Sequence, residues 1–407
     1  MALVPHDPMT RRLALSALVD RIGNGLFMTT SALFFTRSVG LSVGQVGLGL
    51  TIAGGCGVAA SVPAGHAADR WSPPRLIVGL ALLEAAGMLA YTRVHSMWTF
   101  LVVACLVAAA GQASVSVRNT LIAVAVPSER RASTRAYLRA VTNLGIGAGS
   151  ALAAVALQVD TRTAYLVLIV VDALTFVVAA ALIARLPMPP AAPGAASAHI
   201  DGARGLRALT DWPYLTMTVL NAVLTLQYGM LIVGVPLWIA GHTHAPRILV
   251  SAILVINTAM IVALQVRTTR RIDTVSAAAR MAPWCGLLFS GACLIYALAS
   301  GANAWVAGAV LIVGAIVQTF GEMIAAAVGW TMSYDLAQPD APGAYQGVFS
   351  GGFAAGQMLA PLVVTVTAIH LGGIGWLILA AVFAAAGAAL APVTRWTVRT
   401  RTVSVPA

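Results

Sequence analysis

Near the middle of the chain, residues 186–213 read "LPMPPAAPGAASAHIDGARGLRALTDWP", a break rich in proline, glycine and alanine between long apolar segments. A membrane-spanning helix needs about 20 mostly apolar residues. Six such runs precede the break and six follow it, and we predict helices over these ranges: 13–36, 43–64, 75–93, 98–125, 132–158, 162–185, 212–240, 247–268, 278–299, 303–333, 342–369 and 372–392. The sequence therefore predicts an all-α membrane protein with twelve transmembrane helices.

The composition supports this class, because 59% of the 407 residues are hydrophobic, 9% are charged and the mean hydropathy is +0.88. Soluble globular domains do not have this composition. The central break predicts two pseudo-symmetric six-helix bundles, at 1–186 and 212–407, joined by a cytoplasmic linker at 187–211. The stretches "RAYLRAVTNLGIGAG" (135–149) and "GAYQGVFSGGFAAGQ" (343–357) resemble each other, as repeated halves would. Repeated halves are typical of transporters, whose binding site lies between them at mid-membrane.

The net charge of +11 comes entirely from arginine, since all 24 basic residues are arginine. With the amino terminus inside, most of them fall in cytoplasmic segments, and the outer loops hold only Arg37, Arg93, Arg162 and Arg247. This asymmetry follows the positive-inside rule, so we predict that both termini are cytoplasmic. The arginines are scattered over several loops and tails, which excludes a nucleic-acid-binding face.

Sequence signatures of catalysis are absent. The chain contains no nucleophile elbow, no P-loop and no run of His and Cys with metal-ligand spacing. We therefore predict neither an enzyme nor a metal site, no cofactor, and no internal ATPase.

The loop "GHAADRWSPPR" (65–75) lies between the second and third predicted spans. It resembles the G-x-x-x-D-R-x-G-x-R signature of the major facilitator superfamily, with Gly65, Asp69, Arg70 and Arg75 at the matching positions. The resemblance implies the twelve-helix transporter fold and a conformational-gate role for these four residues. Asp69 and Arg70 are expected to tie neighbouring helix ends together in one conformation.

Two longer stretches, residues 117–145 and 320–352, resemble actinobacterial permeases for the efflux of drugs or metabolites. This resemblance favours export. Uptake or uniport of a small metabolite in the same fold remains the alternative.

Three charged residues fall inside predicted spans at matching depths. Asp20 lies seven residues into the first span, Arg118 eight residues from the end of the fourth, and Arg139 seven residues into the fifth. At 1.5 Å per residue, each is about 10–12 Å from the inner boundary. Charges in low dielectric are stabilised by pairing, so we predict that Asp20 pairs with Arg118 or Arg139. Arg21, about 100° round the helix, is expected to brace a neighbouring helix.

Asp20 begins a stripe along one face of the first span that continues through Asn24, Phe27 and Ser31. In the superfamily this helix lines the central cavity, so the resemblance places the stripe on the substrate path. Polar residues elsewhere complete the predicted cavity lining: Asn143, Asn221, Thr225, Tyr228, Gln318 and Gln357. The alternative is that these side chains hydrogen-bond between helices.

We predict that Asp20 couples transport to protons. A carboxylate stays charged beside a guanidinium and takes up a proton when the guanidinium moves away in a dry cavity. Glu322 is the rival proton carrier, because it stands alone in its span without an evident local partner. A fixed structural clamp between Asp20 and the arginines is the alternative.

Glu84 and Asp172 lie in the middle of the third and sixth spans. These spans are peripheral in the superfamily, so we expect both carboxylates to stay away from substrate. A proton shared between them is possible in principle, but separate hydrogen-bonded side chains are the favoured interpretation.

The sequence thus predicts a multi-pass protein of the plasma membrane that acts as a monomer. Its expected partners are the lipid bilayer, protons and a small-molecule substrate. The predicted function is proton-coupled efflux of amphipathic molecules by alternating access.

Overall fold

The structure is a computed structural model that describes residues 8–157, 161–186 and 207–402. These ranges are mainly helical and contain no β-strand. The long helices before the central break are α1 (Pro8–Leu33), α2 (Val43–Arg70), α3 (Pro73–Tyr91), α4 (Met97–Ala125), α5 (Ser128–Leu157) and α6 (Arg162–Ala184). Those after it are α7 (Trp212–His242), α8 (Leu249–Thr269), α9 (Val275–Leu298), α10 (Ala304–Asp335), α11 (Pro342–Val364) and α12 (Gly372–Thr402).

Within these ranges, 10 helices are long and apolar enough to cross a membrane. The helices α1 and α5 are outside this set although they have 26 and 30 residues. The count of twelve spans and the cytoplasmic termini therefore stay predictions. Residues 1–7 and 403–407, together with residues 187–206 of the predicted linker, lie outside the described residues.

The chain forms two compact units. Unit 1 contains Met1–Pro127, Tyr137–Arg207 and Pro339–Gly351, and unit 2 contains Ser128–Ala136, Ala208–Gln338 and Gly352–Ala407. The first turns of α11 thus belong to unit 1, and the first turns of α5 to unit 2. The predicted bundles at 1–186 and 212–407 stay a prediction.

Each unit has the same internal order of helix packing. In unit 1, α2 packs on α4, α4 on α3, α3 on α6 and α6 on α1. In unit 2, α8 packs on α10, α10 on α9, α9 on α12 and α12 on α7. Every pair in the second series is the corresponding pair in the first with six added to each helix number, so the two units repeat one arrangement.

The helix boundaries follow from local sequence. Ser42 and Ser96 begin α2 and α4 with capping boxes, in which the serine hydroxyl accepts from the backbone N–H three residues on and Gln45 or Thr99 bonds back. Gly40 lies in the turn before α2 with φ of 83°, a left-handed conformation that glycine adopts without a Cβ penalty.

The core of unit 1 contains an aromatic cluster at one end of α1. Phe35 is 1% exposed, and its ring centroid lies 4.5 Å from that of Phe100 and 5.1 Å from that of Tyr91. Large apolar side chains also cover the outside, including Trp98 and Trp305, which are 76% and 89% exposed. Such a surface suits contact with lipid chains, which are as apolar as the side chains themselves.

Candidate functional site

Unit 1 encloses a cavity of about 310 Å³ among α1, α3, α4 and α6. Small-molecule sites typically have volumes of about 300–1,000 Å³, so the cavity is large enough for a compact ligand. We call it the unit 1 cavity. Its lining combines charged, polar and apolar side chains: Asp20, Arg21, Asn24, Phe27, Met28, Glu84, Met88, Val107, Ala108, Gly111, Gln112, Ser114, Val115, Arg118, Asp172 and Phe176.

Asp20 forms ion pairs with two arginines in this cavity. Its Oδ2 atom lies 3.4 Å from Arg21 Nε and 3.8 Å from Arg118 Nη2. The Asp20 and Arg118 side chains are only 9% and 14% exposed, so both charges are largely withdrawn from solvent. The predicted pairing of Asp20 with Arg118 is confirmed. Arg21 Nε lies beside the carboxylate of Asp20 on its own helix, and a Cβ at Gly145 of α5 would lie 2.9 Å from the Cβ of Arg21, so the predicted bracing of a neighbouring helix stays a prediction.

Two further carboxylates reach the same cavity, which corrects the expectation that Glu84 and Asp172 stay apart from it. Asp172 is 1% exposed and accepts a hydrogen bond from Thr175 Oγ1, at 3.4 Å. Its Oδ1 lies against Gly23 of α1, where the absence of a side chain admits it. Asp172 thus reaches α1 one turn from Asp20.

Glu84 reaches the cavity from α3 and lies against Gly111 of α4, whose Cβ, if present, would be 3.4 Å from Glu84 Oε2. Glu84 is 8% exposed. Asp20, Asp172 and both cavity arginines interact with it electrostatically. No local sequence pattern indicates that these two carboxylates point into the cavity, because their direction depends on how the helices pack.

The remaining walls are apolar and aromatic. Phe27 stacks on Tyr91 with ring centroids 5.3 Å apart, which fixes the orientation of the ring that faces the cavity. Met28, Met88 and Phe176 add further apolar surface. The cavity lining therefore combines buried charged side chains with apolar and aromatic ones.

The predicted first-half lining is only partly found here. Asn24 and Phe27 line the unit 1 cavity, in agreement with the α1 stripe. Ser31, Asn143 and Arg139 are half-buried and are not among its lining residues. The stripe therefore holds for about two turns, beyond which α1 enters the aromatic core.

Glu322, the rival proton carrier, lies in unit 2 and is 3% exposed. Asn257 Nδ2 on α8 donates to Glu322 Oε2 at 2.8 Å, and also to Thr319 Oγ1 at 3.1 Å. The expectation that Glu322 lacks a local partner was therefore wrong. Asn257 lies on a different helix, 65 residues away from Glu322 in sequence, so no local pattern around Glu322 indicates it.

Gln318, one turn before Glu322, bridges two elements of unit 2. Its Nε2 donates to Gln227 Oε1 at 2.9 Å, and its Oε1 accepts from the Tyr296 hydroxyl at 2.8 Å. Gln318 is fully buried, so these bonds satisfy its amide inside the helix packing. This is the interhelical role that the sequence analysis had left open for the amide side chains.

The other predicted lining residues of unit 2 have mixed surroundings. The Thr225 hydroxyl donates to the carbonyl of Asn221 at 2.8 Å, and both residues are buried. Tyr228 meets Phe353 edge-on, with ring centroids 6.0 Å apart. Gln357 is exposed.

The gate residues lie where α2 meets the start of α11, and both segments belong to unit 1. Asp69 accepts hydrogen bonds from the backbone N–H of Gly343 at 2.6 Å and of Ala344 at 2.8 Å. The first N–H groups of a helix have no intrahelical partner and carry positive partial charge, so a carboxylate stabilises them. Asp69 thus caps α11.

Gly65 lets the two helices approach closely. A Cβ at Gly65 would overlap the carbonyl of Gly343 and lie 2.8 Å from the Cα of Gly347. Arg70 and Arg75 are exposed and line a shallow surface depression beside Trp71.

The sequence analysis missed two polar contacts in unit 1. Gln112 Nε2 donates to the carbonyl of Ser350 at 3.2 Å, and Asn119 Nδ2 donates to Ser350 Oγ at 2.9 Å. Both partners lie more than 200 residues from Ser350 in sequence, so no local pattern indicates them. Among the described residues, no three His, Cys, Asp or Glu side chains are placed to hold a metal ion.

Comparison with known proteins identifies relatives of this architecture. A family model described as Major Facilitator Superfamily matches residues 13–220. A bacterial homologue of the iron transporter ferroportin, in an outward-facing state, has a TM-score of 0.71 at 14% identity, covering 97% of this chain and 100% of that chain.

Two other solved structures share the fold. The fucose:proton symporter of E. coli has a TM-score of 0.71 at 16% identity, covering 95% of this chain and 98% of that chain. The human organic anion transporter TETRAN has a TM-score of 0.61 at 14% identity, covering 95% and 100%. At these identities the likeness shows the fold alone. A comparison with curated protein sequences finds no match.

Proposed function

Since this chain belongs to the Major Facilitator Superfamily and is a secondary transporter, we propose that it exports amphipathic small molecules in exchange for protons. The substrate would move by alternating access, with the protein in the plasma membrane as a monomer of two six-helix halves. The helices α1 and α5 would complete twelve spans, and both termini would be cytoplasmic.

The observation that carries the proposal is the buried ion pairing of Asp20 with Arg118 and Arg21. Charges are costly inside a membrane, and those that persist there commonly serve ion or substrate pathways. Here the paired charges line a cavity large enough for a small molecule. The site therefore combines a titratable group with space for a substrate.

The proposed coupling step uses this pairing. With Arg118 beside it, Asp20 keeps its negative charge; with the guanidinium drawn away, Asp20 Oδ2 accepts a proton and becomes neutral. A conformational change that moves α4 relative to α1 would switch between the two situations. Binding of the substrate or of the proton would then shift the conformational equilibrium, because each of them binds one of the two states more tightly.

Asp69 supports the alternating part of the cycle. Its carboxylate holds the start of α11 through two short hydrogen bonds, and breaking them would release that helix end from α2. These hydrogen bonds would affect the rate at which the inward-open and outward-open states interchange, and not the contacts with substrate.

Glu322 remains the second candidate for the proton. Its carboxylate is buried, and Oε2 accepts a hydrogen bond from Asn257 Nδ2. A proton bound to Oε1 would therefore leave this hydrogen bond intact. The neutral amide of Asn257 donates to Glu322, whereas two guanidiniums pair with Asp20; this ion pairing supports Asp20 as the group whose protonation responds to movement of α4 relative to α1.

Proton-coupled uptake is the alternative function, because a solved structure of the same fold is a fucose:proton symporter. The direction can be measured in proteoliposomes loaded at one pH and diluted into another. The probes would be a panel of cationic, neutral and anionic amphiphiles that keep their charge over the pH range, including ethidium.

If the protein exchanges compounds for protons, compounds should accumulate in the lumen when the lumen is acidic, because protons leave the lumen as compounds enter it. Accumulation driven by an acidic exterior would instead establish symport, and transport indifferent to pH would establish uniport. Protein-free liposomes control for passive partition of the probes.

A further inference from the structure

We propose that the unit 1 cavity binds a monovalent organic cation, with its charged nitrogen beside Glu84. The apolar part of the cation would lie against Phe27, Met88 and Phe176. This inference rests on the proposed transport function, and it names the class of substrate.

The lining of the cavity carries more acidic than basic side chains. The cavity contains three carboxylates, Asp20, Glu84 and Asp172, but only two guanidiniums, Arg21 and Arg118. With all of these groups ionised, the site lacks one positive charge. Unbalanced charge in a poorly solvated site is costly, so the site either retains a proton or binds one cation, and a cation that displaces this proton would balance the charge.

The three carboxylates of the cavity differ in their partners. Both arginines pair with Asp20, and Thr175 donates to Asp172. Glu84 is more than nine-tenths buried and lines the cavity, yet within the described residues it has neither a hydrogen bond nor an ion pair. A buried carboxylate without a donor is expensive, and this one faces open volume. Glu84 is therefore the anchor that a ligand would complete.

The apolar side chains of the lining suit the uncharged part of such a cation. Phe27 and Phe176 supply aromatic surface, and Met28 and Met88 supply polarisable thioethers. A cation over an aromatic face is attracted to the ring quadrupole, and aromatic surfaces recognise quaternary ammonium groups in this way. Methionine adapts its shape to varied apolar ligands.

An anionic ligand fits less well. It would bring a further negative charge to a site where Asp20 pairs with both guanidiniums and where Glu84 has no hydrogen bond or ion pair within the described residues. A neutral ligand would leave the charge of the site unchanged. Charge thus favours a cation over both alternatives.

The test is equilibrium binding of radiolabelled benzyltrimethylammonium to the purified full-length protein. This probe is a compact permanent cation with one aromatic ring, so its charge does not depend on pH. Competitors are the neutral isostere neopentylbenzene and the anion phenylacetate. We expect saturable binding that neither competitor displaces at concentrations where unlabelled probe does.

In Glu84→Gln, which removes the charge but keeps the shape, we expect binding weaker by about thirtyfold or more, because one partner of a buried charge pair is lost. Glu84→Asp keeps the charge and should restore part of the affinity. Asp172→Asn removes a second carboxylate of the cavity and should weaken binding less. Asp273→Asn removes the same charge from an exposed loop position and serves as the matched control.

The inference is overturned if wild type binds no cation, if neopentylbenzene competes as well as the cation, or if Glu84→Gln binds with unchanged affinity. Binding without transport separates it from the proposed function. If Glu84→Gln loses binding of the cation and the wild type shows no proton movement when the cation is added, the cation site is supported and proton coupling is refuted. If only neutral or anionic compounds evoke proton movement in the wild type, proton coupling is supported and the cation site is refuted.

Discussion

The contact between Asp69 and the start of α11 gives a prediction whose size can be derived from geometry. The Asp69 carboxylate accepts from Gly343 N–H at 2.6 Å and from Ala344 N–H at 2.8 Å. In Asp69→Asn one oxygen remains as an acceptor, but an NH₂ group faces the second N–H. The variant therefore loses a charge-assisted hydrogen bond and the favourable interaction with the helix dipole.

These two losses amount to about 2 kcal/mol, given about 1.5–3 kcal/mol for a hydrogen bond to a charged group and about 0.3–1 kcal/mol for the dipole. Each 1.4 kcal/mol corresponds to a factor of ten in equilibrium, so opening of this helix end should become roughly thirtyfold more frequent. The backbone N–H groups of Gly343 and Ala344 report this opening directly, because the first N–H groups of a helix lack intrahelical acceptors.

The assay is amide hydrogen exchange at Gly343 and Ala344, compared in wild type, Asp69→Asn and Asp340→Asn. Asp340 is an exposed residue in the same connection, so its substitution changes the charge without removing the cap. We expect exchange at the two amides to accelerate roughly thirtyfold in Asp69→Asn alone. Equal acceleration in Asp340→Asn, or none in Asp69→Asn, would refute the capping argument.

The same variant should affect transport through rate rather than affinity. Because Asp69 lies outside the unit 1 cavity, substrate affinity should stay within a few-fold while turnover slows. A hundredfold loss of binding with turnover intact would show that Asp69 acts on the substrate site.

Three further substitutions test the packing. Gly65→Ala places a Cβ into the Gly343 backbone and should cost about 1–3 kcal/mol, seen as faster amide exchange at the start of α11; unchanged exchange would mean that the helices can separate freely. Asn257→Leu removes a buried hydrogen-bond donor to the Glu322 carboxylate and should lower the melting temperature. The double variant Asn257→Leu, Glu322→Met also removes the carboxylate and should recover most of the lost melting temperature. A double variant as unstable as Asn257→Leu would contradict the role of this hydrogen bond. Phe35→Ala opens a cavity in the aromatic core and should cost about 3 kcal/mol, measured as a lower melting temperature against wild type; an unchanged value would show that the core repacks.

The sequence was informative wherever depth along a helix decides the outcome. Asp20 and Arg118 lie on different helices, but the fixed rise of 1.5 Å per residue places them at one level, and they do form an ion pair. Asn24 and Phe27 follow Asp20 at helical spacing and share its cavity.

The sequence was less informative about contacts that depend on how each helix is rotated and on how closely two helices approach. Asp172 reaches α1 because Gly23 leaves room on the facing helix, and Glu84 lies beside Gly111 of α4. Which glycine faces which carboxylate depends on how helices pack, and a single sequence does not contain that pairing. The same holds for Gly65, whose partner Gly343 is far away in sequence.

The central claim is that Asp20 carries the coupled proton. The most direct measurement is compound-evoked proton movement in proteoliposomes, followed with an internal pH-sensitive dye in wild type, Asp20→Asn and Glu322→Gln. We predict movement in wild type and in Glu322→Gln, and none in Asp20→Asn. Movement that persists in Asp20→Asn and disappears in Glu322→Gln would contradict the claim and assign the proton to unit 2.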